Sequence, residues 1–246
     1  MIQRLRKEWS KTEVAGSTRR RLALLGGWTV QEAGERLTDP HFRRQGLDTA
    51  GYGARRGVEL APYEGTKWLM LPRLFPRGSI GTEDVLIDYG CGKGRVPIWV
   101  ASHFVMRRVI GVEVDKDLHA VAQANWERWR GPRRCKTVEF VCEDAREFEV
   151  PDDVTIVYLF NPFWGGVFDR VVEQLRASLV RKRRPLRVIY WLPLMHDHLV
   201  AAGFSVVRQR ANRYWVSTES AQSGVERVPP WLPPYSLTIY QFAEAS

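Results

Sequence analysis

The chain has 246 residues, 44% of them hydrophobic and 26% charged, which is enough apolar material for a sizeable core in one α/β domain, alone or with an added segment. Its net charge of +9 and pI near 9.7 favour acidic partners, but net charge bears on solubility and non-specific attraction rather than on fold or chemistry. The three cysteines Cys91, Cys135 and Cys142 lack CxxC spacing, which argues against a disulfide framework or a zinc site. No apolar run approaches the roughly 20 residues of a membrane span. The first residues also lack the apolar stretch of a signal peptide, so we expect a cytoplasmic protein with no membrane partner.

The chain divides into two parts at about residue 60. Residues 1–60 are basic, dotted with glycine and only weakly periodic. We expect a partly helical N-terminal extension there that helps to cover the substrate site. Residues 61–246 form the second part, a single domain, in which "GTKWLMLPRLF" (65–75) predicts a short helix.

From Asp84 onward, strands and helices alternate. Short apolar runs predict five strands, at 84–90, 108–114, 137–144, 154–161 and 186–192. Helical patterns follow most of these strands, at 94–104, 116–129, 166–180 and 194–203. Two more strands, at 204–211 and 235–242, close the chain without a helix between them. This order predicts a mostly parallel α/β sheet with helices on both faces and an antiparallel terminal pair.

The stretch "DYGCGKGR" (88–95) joins the first predicted strand to its helix. Gly90, Gly92 and Gly94 allow backbone conformations closed to other residues and let a ligand approach the main chain. The helix that follows presents unpaired N–H groups at its N-terminus. The turn therefore predicts a nucleotide-like cofactor at the carboxyl edge of the sheet, with a tight turn that binds no ligand as the alternative.

Two acids end the next two predicted strands. Glu113 ends the second strand and Asp144 the third, so both carboxylates emerge at the edge that carries the glycine turn. Glu113 is suited to accept from both ribose hydroxyls, and Asp144 from an adenine amino group. Either acid alone is more typical of a cap or a solvated strand end. Three such strand ends in the correct order indicate a cofactor site.

With these residues the chain resembles the class I S-adenosylmethionine-dependent methyltransferases, which have a Rossmann-like, seven-stranded fold. "DYGCGKG" (88–94) looks like their E/D-x-G-x-G-x-G first motif, "EDA" (143–145) like the adenine-contacting turn, and "NPF" (161–163) like the fourth motif. The resemblance implies S-adenosylmethionine as cofactor and S-adenosylhomocysteine as product, with Asp88 and the glycine backbone at the methionine end. The cofactor-binding residues that it implies, some by position alone, are Tyr63, Thr66, Asp88, Gly90, Cys91, Gly92, Gly94, Glu113, Val114, Asp144, Ala145 and Asn161.

A nicotinamide-dependent oxidoreductase is the main competing interpretation within this architecture. Its fingerprint is G-x-G-x-x-G, in which the third glycine packs the helix on the strand. Here the spacing is G-x-G-x-G and Arg95 takes the place of that glycine. The two closing strands also favour methyl transfer.

The corner "YLFNPFWGG" (158–166) follows the fourth predicted strand. In the family that the chain resembles, an Asn or Asp followed by prolines and an aromatic residue holds the N–H groups of a planar amine while the ring stacks beneath it. Asn161 is therefore the candidate catalytic residue, and Phe163 and Trp164 are candidate substrate contacts. The amine-methylating pattern usually carries two prolines and this chain has one, so the acceptor atom stays open between N and O. An Asx turn that simply ends the strand is the alternative.

Further candidates lie towards the end of the chain. Tyr190 ends the fifth predicted strand, where substrate contacts are common in the resembled family. His196 and His198 are two residues apart on a helix and cannot face the same way, so we expect no metal site there. One of them is a candidate general base, with a solvated helix histidine as the alternative. Trp215 and Trp231, in the long loop before the last strand, either line a substrate pocket or belong to a rigid surface loop.

The densest basic runs, at 128–136 and 181–187, both lie between a helix and the next parallel strand. Such loops lie at the amino edge of the sheet, opposite the cofactor, which argues against their gripping a nucleic acid at the active site. We therefore expect a methyltransferase acting on N or O of a small-molecule or peptide acceptor. The alternatives are a nucleic-acid or protein (lysine- or arginine-type) methyltransferase that uses the basic surface, and a non-catalytic cofactor-binding module. The sequence leaves the oligomeric state open.

Overall fold

A computed structural model describes residues 47–49, 57–210 and 237–242. Its strands are β1 (Val85–Tyr89), β2 (Arg108–Glu113), β3 (Thr137–Cys142), β4 (Ile156–Leu159), β5 (Arg187–Trp191), β6 (Phe204–Arg210) and β7 (Leu237–Phe242). They form one sheet in the order β3-β2-β1-β4-β5-β7-β6. Strands β1 to β5 are parallel, and β7 is antiparallel to both β5 and β6. The predicted Rossmann-like, mostly parallel seven-stranded sheet is confirmed.

Five α-helices accompany these strands in the described part of the chain. They are α1 (Leu71–Leu74), α2 (Arg95–His103), α3 (Lys116–Arg128), α4 (Gly165–Arg181) and α5 (His196–Ala201). A single 3-10 turn, Trp68–Met70, precedes α1, so the helix predicted over 65–75 is two short pieces. Helix α1 ends at Leu74 because Pro76 disfavours helical backbone at Phe75, the residue before it. None of the described helices is long and apolar enough to cross a bilayer.

The core lies on both faces of the sheet because side chains alternate along each strand. In β1, Ile87 and Tyr89 face the cluster that includes Val171 and Leu175 of α4. Leu86 faces the opposite cluster, which contains much of α2. Burial on both faces explains why the strands read as continuous apolar runs.

The parallel register brings the carboxyl ends of the central strands together. Tyr89, the last residue of β1, pairs with Val112 of β2 and with Leu159 of β4. The glycine turn, Glu113 and the corner after β4 therefore lie at one edge.

Part of the predicted N-terminal extension packs on the same unit as the sheet. Residues 47–49 and 57–60 belong to the compact unit His41–Ser246, and Leu60 forms an isolated antiparallel bridge with Phe163. The end of the extension thus lies beside the corner after β4. That the extension covers the substrate site stays a prediction.

Candidate active site

The glycine turn is held against the end of β2 and is covered by an aromatic ring. The N–H groups of Gly90 and Cys91 both donate to the carbonyl oxygen of Val112, at 2.9 and 3.1 Å. Gly92 has a φ of +55°, and a Cβ built on it would lie 2.2 Å from Cε2 of Tyr63. Only glycine meets both conditions, so the turn and Tyr63 form one unit. The predicted cofactor residue Tyr63 is thereby placed directly on the turn.

Two buried carboxylates flank the turn. Asp88 is 3% exposed and Glu113 is 7% exposed. Glu113 accepts from the N–H of Gly92 at 2.8 Å and from that of Asp115 at 3.0 Å, so it fastens the turn to the end of β2. Burial, and secondly the charge of Glu113, raises the pKa of Asp88 well above its usual range. Burial also raises the pKa of Glu113, although backbone N–H groups oppose this shift.

Cys91 lies between these acids and is buried. Its pKa is raised well above the ordinary value by burial first, then by the charges of Asp88 and Glu113. The thiol therefore stays protonated, and a protonated thiol is a poor nucleophile. Cys91 is therefore unsuited to act as a nucleophile, and its place beside the cofactor stays a prediction.

Asp144 lies in the turn after β3 and pairs with Arg146, a residue that the sequence reasoning missed. Nε of Arg146 lies 3.1 Å from both carboxylate oxygens, and Nη2 lies 2.6 Å from Oδ2. The hydrogen bond from Arg146 is the main reason why the pKa of Asp144 is lowered. An adenine amino group at Asp144 would share the carboxylate with this guanidinium. Ala145 is buried beside it, whereas Val114 after β2 is 44% exposed.

Thr66 and Arg95 form a buried polar group beneath Tyr63. The hydroxyl of Thr66 lies 2.9 Å from that of Tyr158, and its backbone oxygen accepts from Nη1 of Arg95 at 2.8 Å. Arg95 is 4% exposed and also donates to the carbonyl of Thr49 at 2.5 Å, which accepts from the Tyr63 hydroxyl as well. An arginine directly after a glycine turn was visible in the sequence. Its partners, 29 and 46 residues earlier in the chain, were not.

The corner after β4 is tied to the N-terminal segment and to β5. Asn161 has a φ of +43° and its side-chain Oδ1 accepts from the hydroxyl of Tyr190 at 3.2 Å. The carbonyl of Pro162 accepts from the N–H of Ala61 at 2.8 Å. The N–H of Trp164 donates to the carbonyl of Glu59 at 3.1 Å. The corner is thus a fixed loop rather than a frayed strand end.

The aromatic residues of the corner are not arranged as the sequence reasoning expected. Phe163 is 3% exposed, and its ring packs on those of Tyr89 and Phe168 at 6.1 and 6.2 Å between ring centroids. Its ring is therefore part of the core in this structure. Trp164 is half-buried, and so is Phe160, whose ring lies 6.4 Å from that of Trp191. Phe160 was not predicted, because the resembled motif begins at Asn161.

Tyr190, the other predicted substrate contact, is fully buried behind Asn161. The two histidines have partners elsewhere: Nδ1 of His196 lies 2.7 Å from the hydroxyl of Tyr240, and Nδ1 of His198 lies 2.5 Å from Oδ1 of Asp169. Trp215 and Trp231 lie outside the described residues.

Arginines of the two basic runs donate hydrogen bonds to nearby protein oxygens. Arg133 donates to the carbonyl of Trp126, Arg184 to that of Ser178, and Arg181 to the carboxylate of Asp152. Such contacts satisfy carbonyls at the ends of helices and at neighbouring loops.

The site fits a cofactor that carries both a positive charge and a nucleoside. A cation relieves a buried carboxylate whose pKa is raised, and Asp88 would meet one in the ammonium of S-adenosylmethionine, whereas Glu113 would accept from the ribose hydroxyls. Gly90, Gly92 and Gly94 all have positive φ values, which curve the turn tightly at the end of β1.

Comparisons with known proteins agree with this geometry. The profile of the family described as "Methyltransferase domain" matches residues 86–182. A protein-lysine N-methyltransferase of Saccharolobus islandicus is 27% identical over 129 residues, which are 52% of this chain and 73% of that protein.

Two solved structures are similar at lower identity. The cyclase SpnF is 15% identical with a TM-score of 0.52, over 88% of this chain and 96% of that one, which shows a shared fold. An RNA methyltransferase from Salinibacter ruber, solved with S-adenosyl-L-homocysteine, is 20% identical with a TM-score of 0.47, over 74% and 96% of the two chains.

The matched family profile begins within β1 and ends just after α4, so it contains the glycine turn, Glu113 and the corner after β4. The strand order places the antiparallel β7 between β5 and β6. Neither the turn spacing nor this closing pair suits the competing nicotinamide-dependent oxidoreductase. Residues 86–182 accordingly match the methyltransferase family, and the sheet around them has the architecture of a class I S-adenosylmethionine-dependent methyltransferase.

Proposed function

We propose that the enzyme methylates an N or O atom on a flexible group of a small molecule or peptide, with a lysine-type amine as the best-supported acceptor. The observation that carries this proposal is the burial of Phe163, whose ring packs on Tyr89 and Phe168. A flat amino group requires a ring beneath it, and the ring that the motif would offer faces the core. An amine or hydroxyl on an alkyl chain has no such requirement.

Two further observations support the same acceptor class. The half-buried ring of Phe160 offers an apolar wall for an alkyl chain. The relative from Saccharolobus islandicus, described as a protein-lysine N-methyltransferase, supports the amine.

In this proposal, different residues at the sheet edge bind different parts of the cofactor. Asp88 and the backbone from Gly90 to Gly94 hold the methionine end, and Glu113 holds the ribose. The remaining positions border the adenine or the methionine part: Tyr63, Thr66, Cys91, Val114, Asp144, Ala145 and Asn161.

The main catalytic role of the protein is to position the acceptor against the methyl group. When bound, S-adenosylmethionine supplies a methyl group already activated by its sulfonium. Asn161 orients the acceptor through its remaining lone pair, so that the acceptor's own lone pair is directed at that methyl carbon from about 3 Å. The acceptor would gain the methyl group, lose one proton to solvent and leave S-adenosylhomocysteine as the second product. The extension, through Glu59 and Leu60, helps to cover this corner and exclude water.

A labelling experiment tests the acceptor class. The enzyme is incubated with methyl-labelled cofactor and, separately, with a peptide containing one lysine, the same peptide with arginine or serine at that position, free lysine and a structured RNA. We expect label in the lysine peptide and its loss in the arginine version. Label confined to RNA, with activity falling steeply as salt rises, would favour the nucleic-acid alternative instead.

A further inference from the structure

Tyr190 lies where β4 and β5 come closest to the acceptor corner. Its Cα pairs with that of Leu159, the last residue of β4 and two residues before Asn161. Its ring stacks on Phe168 at 5.8 Å between centroids with an interplanar angle of 22°, and its side chain is fully buried. The ring is therefore locked, and the hydroxyl has a fixed position.

The Tyr190 hydroxyl ties β5 to the corner after β4. Its single proton points to Oδ1 of Asn161 at 3.2 Å. Burial raises the pKa of Tyr190, so the hydroxyl stays protonated and donates throughout the physiological range. An acceptor must therefore face it, which assigns that position to the oxygen of the Asn161 amide.

The corner after β4 and the turn after β5 each contain a residue with a positive φ. Asn161 has a φ of +43° and Leu192 a φ of +57°, and these are the positive φ values among the described residues other than glycine. Such conformations persist where surrounding contacts hold them, and they cluster at functional sites. Asn161 also lies beyond the ladder between β4 and β5, which ends at Leu159. Its amide therefore depends on a side-chain contact for its orientation.

We propose that Tyr190 is a positioning residue for methyl transfer, which holds the Asn161 amide so that one oxygen lone pair and the amide nitrogen face the acceptor. The inference rests on the proposed function only in placing Asn161 beside the acceptor. Tyr190 touches neither substrate nor cofactor and acts through Asn161.

Replacing the hydroxyl alone gives the first test. Tyr190→Phe keeps the ring on Phe168, and we expect kcat with the lysine peptide to fall about 10- to 100-fold, since small misplacements of a positioning group cost that much. The Kd for S-adenosylhomocysteine should stay within about twofold, because no ground-state contact to it is lost. An unchanged kcat overturns the proposal.

Tyr89→Phe is the matched control. Tyr89 is a buried tyrosine of the same hydrophobic cluster, and among the described residues its hydroxyl has no hydrogen-bond partner. We expect kcat and Kd to stay unchanged in this variant. Equal loss of kcat in both variants would mean that core packing, rather than the bond to Asn161, matters.

A double-mutant cycle separates this inference from the proposed function. If Tyr190 acts through Asn161, then adding Tyr190→Phe to Asn161→Ala causes no further loss of kcat. Losses that multiply overturn the positioning role. Loss with Asn161→Ala but none with Tyr190→Phe overturns the positioning role alone, whereas no loss with Asn161→Ala overturns the proposed acceptor corner too.

A spectroscopic readout needs no acceptor. In nitrogen-labelled enzyme bound to S-adenosylhomocysteine, the side-chain amide pair of Asn161 should move in Tyr190→Phe and stay in place in Tyr89→Phe. An unmoved pair in Tyr190→Phe overturns the proposal even if no peptide is methylated.

Discussion

Asp88 and Glu113 keep two carboxyl groups almost wholly out of water at the carboxyl edge of the sheet, the proposed cofactor site. Burial disfavours their ionised forms and raises the pKa of both, and the charge of Glu113 raises the pKa of Asp88 further. This arrangement costs stability in the unliganded protein. The same buried carboxylates favour binding of a cation. At these residues, cofactor affinity is therefore gained at the expense of the stability of the unliganded protein.

Neutralising one of these groups should therefore stabilise the protein and abolish its function. The raised pKa of Asp88 means that stability is highest while the carboxyl is protonated and falls as pH rises through that pKa. We expect Asp88→Asn to raise the Tm of the unliganded enzyme at pH 7 to 8 and to flatten this fall. Each kcal/mol gained corresponds to about 2–4 °C in a chain of this size.

The same variant should lose cofactor binding by calorimetry. In the wild type, the increase in Tm caused by S-adenosylhomocysteine should grow with pH, because the ligand favours the ionised carboxylate. An Asp88→Asn protein that is no more stable, yet binds normally, would contradict this reading of the site.

At the scale of elements, two local devices shape the site: the packing of the glycine turn under Tyr63 and the capping of α4 by Glu59. Gly92 has a positive φ and no room for a Cβ. The carboxylate of Glu59 accepts from the N–H of Val167 at 3.0 Å, near the N-terminus of α4. A residue of the extension therefore caps the helix that follows the acceptor corner.

Gly92→Ala should lower stability and cofactor affinity together, because the new methyl group displaces Tyr63 from the turn. Gly78→Ala is the control, since Gly78 has a φ of +77° but nothing within 4 Å of its Cβ position. The control should cost only backbone strain, about 1–2 kcal/mol, and leave cofactor affinity intact. Equal effects on affinity would refute the role given to Tyr63.

Glu59 variants test the cap on α4. Glu59→Ala should lower the free energy of unfolding by about 1 kcal/mol, the usual value of a helix N-cap. Glu59→Gln keeps an acceptor oxygen but loses the charge that favours a helix N-terminus. Its free energy of unfolding should therefore lie between those of the wild type and Glu59→Ala. Chemical denaturation measures both, and no loss in either would show that the contact is unimportant.

The elements were predictable from sequence to the extent that local rules govern them. The strands that end at or next to Asp88, Glu113 and Asp144 followed from apolar runs that end in polar residues, and the fold followed from their order. The burial of Phe163 did not follow, because the left-handed turn at Asn161 directs the chain back over the core. Nor did the contacts of Arg95, whose partners are brought to it by tertiary packing alone.

In the described part of the chain, the two densest basic runs lie away from the proposed cofactor site. Arginines of the runs at 128–136 and 181–187 bind nearby protein oxygens at the amino edge of the sheet, while the buried acids Asp88 and Glu113 lie at the carboxyl edge.

Salt dependence is the corresponding prediction. Turnover of the lysine peptide should change by less than about threefold between about 50 and 200 mM salt, because few exposed charges take part in its binding. A nucleic acid held by 6–10 phosphate contacts would lose about 10³–10⁵ in affinity over that range. A loss of about 10³–10⁵ would instead indicate a nucleic-acid acceptor bound by the basic runs. Mutation of the basic runs at 128–136 and 181–187 would then check that they bind it.

The most direct test of the account compares two variants at the cofactor edge. Binding of S-adenosylhomocysteine and transfer of labelled methyl are measured for the wild type, Asp88→Ala and Asn161→Ala. We expect Asp88→Ala to lose binding and hence transfer, and Asn161→Ala to keep binding but to lose most of its turnover. If Asn161→Ala retained full turnover with every acceptor that the wild type methylates, the corner after β4 would not be the acceptor site.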